Sequence, residues 1–228
     1  MIIATGALLI ALPIAFNVFF GLLAARFEYP DILRHPTSEV LAKFRAGGSG
    51  LLLTWWGFAM TALLFAPVAV LVSAQLDGAN ATLVQLATTI GVLAAAVQVL
   101  GLVRWPFMVP HLARASEGAT PAQSEAIDIV FQSFNRYLGV AVGEHLGYLL
   151  TGAWTVLVGA ASLQSGLLPA WMSIAGIVVG AILAATSLEF VGPNERDGSK
   201  LAGAVVPIAY IAWSLWLAVL GVFVLVNG

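Results

Sequence analysis

The stretch YLGVAVGEHLGYLLTGAWTVLVGAASL, residues 137–163, decides the fold class. It is long enough to cross a bilayer, and it is apolar except for Glu144 and His145 and a few uncharged polar groups. At about 100° per residue, a single helical face collects polar side chains: Tyr137, Glu144, Tyr148, Thr151 and Thr155. A carboxyl group that faces lipid is costly, so we expect this face to point into a helix bundle or a hydrated cavity.

Composition places the whole chain in the same class. Of 228 residues, 61% are hydrophobic and 9% are charged, against roughly 25% charged residues in soluble domains. Lipid cannot satisfy open backbone groups, and the alternating polarity of a membrane barrel is absent from this sequence. We therefore predict an all-α, polytopic membrane helix bundle that forms a single domain. The chain has no cysteine, which excludes a disulfide framework and a thiolate metal site.

Hydropathy predicts six transmembrane helices. Their approximate bounds are 2–25, 51–76, 82–104, 137–163, 167–190 and 203–226. The first segment begins without the basic leader of a secretory signal, so we expect it to be retained as a span. Three long connections and two short turns join these helices, and an even number of spans puts the long connections on one side.

The basic residues gather in or beside the three long connections. They are Arg26, Arg34, Lys43, Arg45, Arg104, Arg114, Arg136, Arg196 and Lys200. The positive-inside rule assigns this side to the cytoplasm, which gives an N-out/C-out topology with both termini on the opposite side.

Short amphipathic cytoplasmic helices are expected in the connections after helices 1 and 3. Thr37 is placed to cap a helix with an apolar stripe of Val40, Leu41 and Phe44, and this helix should lie along the inner headgroups. After helix 3, the segment 120–123 (TPAQ) has the pattern of a capping box, with proline at the first helical position. From there, one long helix, or two with a bend, should continue into the fourth span.

Polar side chains predicted near Glu144 define a candidate site for a ligand or a proton. The candidates are Glu144, His145, Tyr148, Glu189, Arg104, Arg136, Asn17 and Gln98. In the functional interpretation, Glu144 exchanges a proton or a partner as the site fills, and His145 titrates near neutral pH. In the structural interpretation, Glu144 pairs with Arg104 or Arg136 and fixes two helices together.

Three functions fit this pattern. The first is a ligand- or lipid-binding or proton-linked transport-type bundle. The second is an accessory or scaffold subunit that binds a partner membrane protein or another copy of itself. The third is a membrane-embedded metal-dependent enzyme, although the spacings His-x-x-x-His and Glu-x-x-His are absent. We assign no catalytic residue, metal ligand or cofactor, expect membrane lipids as partners, and find no support for nucleic-acid binding.

Three segments of the chain resemble a family of known proteins. They are 27–36 (FEYPDILRHP), 105–110 (WPFMVP) and 143–148 (GEHLGY). Together they look like a bacterial family of six-span membrane proteins catalogued only as a domain of unknown function. The resemblance implies a multi-pass protein of the bacterial inner membrane. It implies no activity, substrate or catalytic residue.

Overall fold

The computed structural model describes residues 1–227, and within them the regular structure is helical, without a strand. The α-helices are α1 (Ile2–Phe27), α2 (Thr37–Ala46), α3 (Gly48–Ser73), α4 (Ala81–Leu102), α5 (Arg104–Phe107), α6 (Val109–Ala115), α7 (Pro121–Phe134), α8 (Gly147–Ser165), α9 (Ala170–Thr186) and α10 (Lys200–Asn227). A π-helical segment, Asn135–Leu146, joins α7 to α8, and a 3-10 turn, Ser187–Phe190, follows α9. The predicted all-α class is confirmed.

Helices long and apolar enough to cross a membrane correspond to the six predicted spans. Within residues 1–227 they are Ile2–Phe27, Gly48–Ser73, Ala81–Ala115, Pro121–Ser165, Ala170–Phe190 and Lys200–Asn227. The third is longer than predicted, because α5 and α6 continue in helical conformation past Arg104. The fourth is one long helix that includes the π-helical segment. Of the two predicted alternatives, one long helix or two with a bend, the structure therefore has the first.

These long helices form a closed ring in chain order. Each packs against the next, in the order α1, α3, α4, α8, α9, α10, and α10 returns to α1. The centre of the ring is filled by large buried side chains, among them Trp154, Phe65 and Trp216. The aromatic residues of the last span therefore contribute to the interior, with Trp213 and Trp216 both buried.

A second buried core lies at the end of the ring where the long connections are. Trp55 of α3 and Trp105 of α5 stack in its centre, with ring centroids 4.4 Å apart. The apolar stripe of α2 packs into this core, with Val40 0% and Leu41 1% exposed. The prediction that α2 lies along the headgroups is therefore wrong for its apolar face, because neighbouring protein covers that face before lipid can reach it.

The two predicted helix starts have different outcomes. Thr37 does not cap α2: Pro36 occupies the N-cap position, and the Thr37 hydroxyl donates to Asp128 and accepts from Gln132 of α7. Thr120 does form the predicted capping box, since its side chain accepts from the Gln123 backbone N–H while the Gln123 side chain accepts from the Thr120 N–H.

The long connections contact one another, so the basic residues lie at one end of the ring, which we call the loop end. The Arg45 guanidinium donates to the Ala113 carbonyl at 2.7 Å, and Arg136 forms an ion pair with Glu195 at 2.9 Å. At the opposite end the short turns meet, where the Asn80 N–H donates to the Gln164 side chain at 2.8 Å.

Candidate functional site

A cavity of about 150 Å³ opens beside Glu144, between the π-helical segment and the 3-10 turn after α9. This is well above the roughly 10–15 Å³ that one water molecule needs. The lining comprises Val140, Ala141, Glu144, His145, Tyr148, Thr186, Ser187, Glu189, Phe190 and Val191. Four of the residues predicted for the site therefore meet at one cavity: Glu144, His145, Tyr148 and Glu189.

The π-helical segment explains how Glu144 reaches this cavity. A π-helix bonds residue i to residue i+5, so each residue turns through less than 100°. Tyr137 consequently lies on the outside of the bundle, 68% exposed, while Glu144 turns towards α9. The single polar face predicted at α-helical spacing is therefore wrong for Tyr137, because this part of the helix is wider than an α-helix.

Glycines in and next to the π-helical segment let it approach α4 closely. A Cβ atom at Gly139 would lie 2.6 Å from an Arg104 side-chain nitrogen, and one at Gly143 would lie 3.2 Å from the Gly101 Cα. At Gly147, the first residue of α8, a Cβ atom would lie 3.1 Å from the Gln98 side chain. Glycine at these positions thus lets the wider helix lie close to α4 and to Arg104 of α5.

One ring nitrogen of His145 is held by the backbone. Its Nδ1 lies 2.7 Å from the carbonyl oxygen of the buried residue Ser187. A carbonyl only accepts, so Nδ1 carries the hydrogen in this bond, and the other ring nitrogen, Nε2, takes no part in it. This bond also fixes the 3-10 turn against the π-helical segment.

The Glu144 carboxyl is partly buried and forms no hydrogen bond or ion pair within residues 1–227. The charged side chains close enough to act on it are Arg104, Glu189 and Arg34. A carboxyl group in such surroundings normally has a partner, because burying it alone is costly. Glu144 instead borders the cavity, so its carboxyl group is accessible to whatever enters that space.

Arg104 is the buried cation next to this site, with 6% of its surface exposed. Its guanidinium donates to the Gly101 carbonyl and, at 3.1 Å, to the Asn135 side chain. No carboxylate of residues 1–227 lies within 4.0 Å of it. The proposed structural pair of Glu144 with Arg104 is thus an electrostatic interaction across a gap, without a direct contact.

Three tyrosines surround the same carboxyl group from different parts of the chain. Tyr29, Tyr148 and Tyr210 are all close enough to interact electrostatically with Glu144, and the rings of Tyr148 and Tyr210 meet edge to face at 5.4 Å. Burial raises the pKa of Tyr29 above its usual value; Glu144 adds to this effect and Arg104 opposes it. A phenol can donate a hydrogen bond, so these three side chains could serve a carboxylate or a ligand bound beside Glu144.

Tyr29 and Tyr210 were not among the residues predicted for the site. Tyr29 lies in the connection after α1, and its ring packs against Trp55 at 5.0 Å. Neither position has a charge or a motif that signals contact with Glu144. Only the fold of the loop end over the ring brings Tyr29 close to it.

The remaining predicted residues lie elsewhere. Arg136 pairs with Glu195 at the surface. Asn17 donates to the Ser214 hydroxyl at 2.9 Å and so joins α1 to α10. Gln98 donates to the Thr151 hydroxyl at 2.6 Å and joins α4 to α8. The structure gives these side chains partners between helices, and it does not bring them to the Glu144 cavity.

Metal ligands are not grouped within residues 1–227: no set of three or more His, Asp or Glu side chains is arranged to hold a metal ion. The cavity offers two carboxyl groups and one imidazole at its wall, with apolar side chains between them. This arrangement can hold and move a proton or bind a small polar molecule.

Comparison with known proteins gives one family. Residues 4–228 match the family described as a domain of unknown function (DUF4386). No curated protein and no solved structure matches the chain.

Proposed function

We propose, from the premise that this chain belongs to the family described as a domain of unknown function (DUF4386), that it binds a small ligand inside the membrane in a protonation-linked manner. The ligand occupies the cavity beside Glu144 and His145, and the protein is a transport-type bundle. Ionised and protonated Glu144 differ in what they bind, so occupancy and protonation are coupled.

One observation carries this proposal: the Glu144 carboxyl has no protein partner within residues 1–227 and borders a cavity of about 150 Å³. A structural acid would be expected in a direct ion pair, as Glu195 is with Arg136. His145 lines the same cavity and is held in place by the Ser187 carbonyl. Arg104, Arg34, Glu189 and the hydroxyls of the three tyrosines set the local field.

Substitution of Glu144 by Gln tests the proposal. The variant removes the proton exchange and keeps the shape of the side chain. We expect the thermal stability of the wild-type protein, measured in lipid nanodiscs from pH 4 to pH 9, to show a titration step that Glu144→Gln abolishes. Glu125→Gln, on the exposed surface of α7, is the matched control and should leave that step unchanged.

The result that would contradict the proposal is equally specific. If Glu144→Gln lowers the melting temperature by the same amount at every pH, Glu144 is a structural residue. An accessory subunit, the second function predicted from the sequence, would then be the better hypothesis, and a stable partner in a mild membrane extract would support it.

We also propose that the loop end faces the cytoplasm of a bacterial inner membrane. The support is the concentration of basic residues at that end, since cytoplasmic connections carry the excess of Lys and Arg. A reporter fused after residue 228 should then be active only if it functions outside the cytoplasm. Activity of a cytoplasm-dependent reporter at that position would reverse the orientation.

A further inference from the structure

A second cavity, of about 250 Å³, lies at the loop end next to the first. Its lining comprises Arg34, Glu189, Asp197, Gly198, Ser199, Lys200, Gly203 and Ala204. Arg34, Asp197 and Lys200 are exposed and charged, so this outer cavity is hydrated. It provides an aqueous space between the loop end and the interior of the bundle.

Glu189 lines both cavities. This residue is therefore shared by the hydrated outer cavity and the inner cavity beside Glu144, and its Oε1 atom lies near Gly198 and Gly203 of the outer cavity. Arg34, which lines the outer cavity, is also close enough to act electrostatically on Glu189 and on Glu144. The two spaces are therefore neighbours both in geometry and in their electric field.

The space for the Glu189 carboxyl depends on two glycines. A Cβ atom at Gly203 would lie 2.9 Å from Glu189 Oε1, and one at Gly198 would lie 3.4 Å from it. Gly198 has a φ of +74°, which already favours glycine, but Gly203 lies within α10, where alanine would be the better helix former. Glycine at 203 leaves the room that the carboxyl group uses.

We propose that the inner cavity is reached from the loop end through the outer cavity, and that Glu189 is the positioning carboxylate at the passage between them. The inference rests on the proposed function only in assuming that the inner cavity is a binding site. Ions and small polar molecules pass Glu189 before they meet Glu144. The negative charge of Glu189 favours cations at this step.

Single cysteines test the route directly, because the natural sequence has none. Ser187→Cys places a thiol in the wall of the inner cavity, and Ser199→Cys places one in the outer cavity. Ile182→Cys, on the exposed face of α9, is the lipid-facing control. Each variant is reconstituted in nanodiscs and treated with a trimethylammonium-bearing or a sulfonate-bearing methanethiosulfonate reagent, and the rate of labelling is measured by mass spectrometry.

We expect Ser199→Cys to react fastest, Ser187→Cys to react more slowly but measurably, and Ile182→Cys to remain unlabelled, because thiolates form in water and not in lipid. The cationic reagent should label Ser187→Cys severalfold faster than the anionic reagent. Adding Glu189→Gln should abolish that preference. Adding Gly203→Val, which displaces the carboxyl group into the passage, should slow labelling of Ser187→Cys severalfold, whereas Gly21→Val, with open space around it, should not.

Two outcomes would overturn the route. In the first, Ser187→Cys is unreactive while Ser199→Cys reacts. In the second, Ser187→Cys reacts at the same rate, with the same charge preference, whether or not Glu189→Gln is present. Either result leaves the pH titration of Glu144 untouched, so failure of the route is distinguishable from failure of the proposed function. The Glu189→Gln variant also keeps the test decisive if Gly203→Val does not fold.

Discussion

Gly101 of α4 and Gly143 of the π-helical segment pack backbone against backbone: a Cβ atom at Gly101 would lie 2.7 Å from the Gly143 Cα. The same Cβ atom would lie 2.9 Å from the Leu138 carbonyl oxygen. Backbone atoms cannot turn aside as a flexible side chain can. This contact therefore fixes the distance between α4 and the helix that carries Glu144.

Gly101→Ala should destabilise the protein by about 1–3 kcal/mol, the usual cost of overpacking. The gain of up to about 1 kcal/mol in helix propensity does not offset the overlap with backbone. Thermal unfolding in nanodiscs measures the difference. Gly21→Ala in α1, where a Cβ atom has no neighbour within 4 Å, is the control and should be neutral or slightly stabilising. Equal stability of both variants would mean that the close approach does not hold the helices together.

Hydropathy and charge predicted the parts of the structure that depend on the membrane itself. The helical class and the long spans follow from the sequence pattern, because lipid forces backbone bonds to close within each helix. The capping box at Thr120 follows from its local sequence alone. The π-helical segment does not follow, since the apolar residues around Glu144 fit several helical periods equally well. The sequence therefore aligned Tyr137 with Glu144, whereas the structure separates them.

Long-range pairing was the other limit of the sequence. Arg136 was predicted near Glu144 from its position before the fourth span, but Glu195, far away in the chain, lies closer to it. Asn17 likewise pairs with Ser214 of the last helix. Such partners depend on which helices adjoin in the ring, and hydropathy says nothing about that order.

His145→Asn and His145→Ala test the structural role of the His145 ring. The Asn side-chain nitrogen occupies the place of Nδ1 and can still donate to the Ser187 carbonyl, while Ala removes this hydrogen bond, at a net cost of about 0.5–1.5 kcal/mol. We expect near wild-type stability for Asn and a clear loss for Ala at pH 7. If both variants lose the same stability, the bond to Ser187 is not what holds the turn.

Thr155 and Ser162 of α8 are two buried hydroxyl-bearing residues that differ in whether the hydroxyl has a hydrogen-bond partner. The Thr155 hydroxyl accepts from Trp213 Nε1 at 2.9 Å, whereas the Ser162 hydroxyl has no partner among the described residues. Thr155→Val should cost about 1–3 kcal/mol, because it leaves a buried indole N–H unpaired. Ser162→Ala should be neutral or stabilising, since it removes an unpaired polar atom. Chemical unfolding in detergent would compare the two, and a larger loss for Ser162→Ala would contradict the pairing.

Glu28 ends α1 with a positive φ of 58°, and its carboxyl group pairs with Lys43 of α2 at 2.6 Å. The hydrogen bond and the charge of Lys43 lower the pKa of Glu28. A carboxyl whose pKa is lowered by folding stabilises the folded state above its ordinary pKa, and this contribution disappears as the pH falls through the folded-state value. Glu28→Gln should thus lower the melting temperature at pH 7, and the difference from wild type should vanish in acid.

Glu28→Gly tests the backbone part of the same position. Glycine adopts a positive φ without strain, so losing the ion pair is offset by relief of the left-handed conformation. We expect Glu28→Gly to be more stable than Glu28→Gln at pH 7, with no pH-dependent difference between the two variants. If Glu28→Gly is less stable than Glu28→Gln, the methylene groups of the side chain at this position stabilise the loop end by packing on it. In that case the charge of Lys43 is not what keeps a non-glycine residue at this helix end.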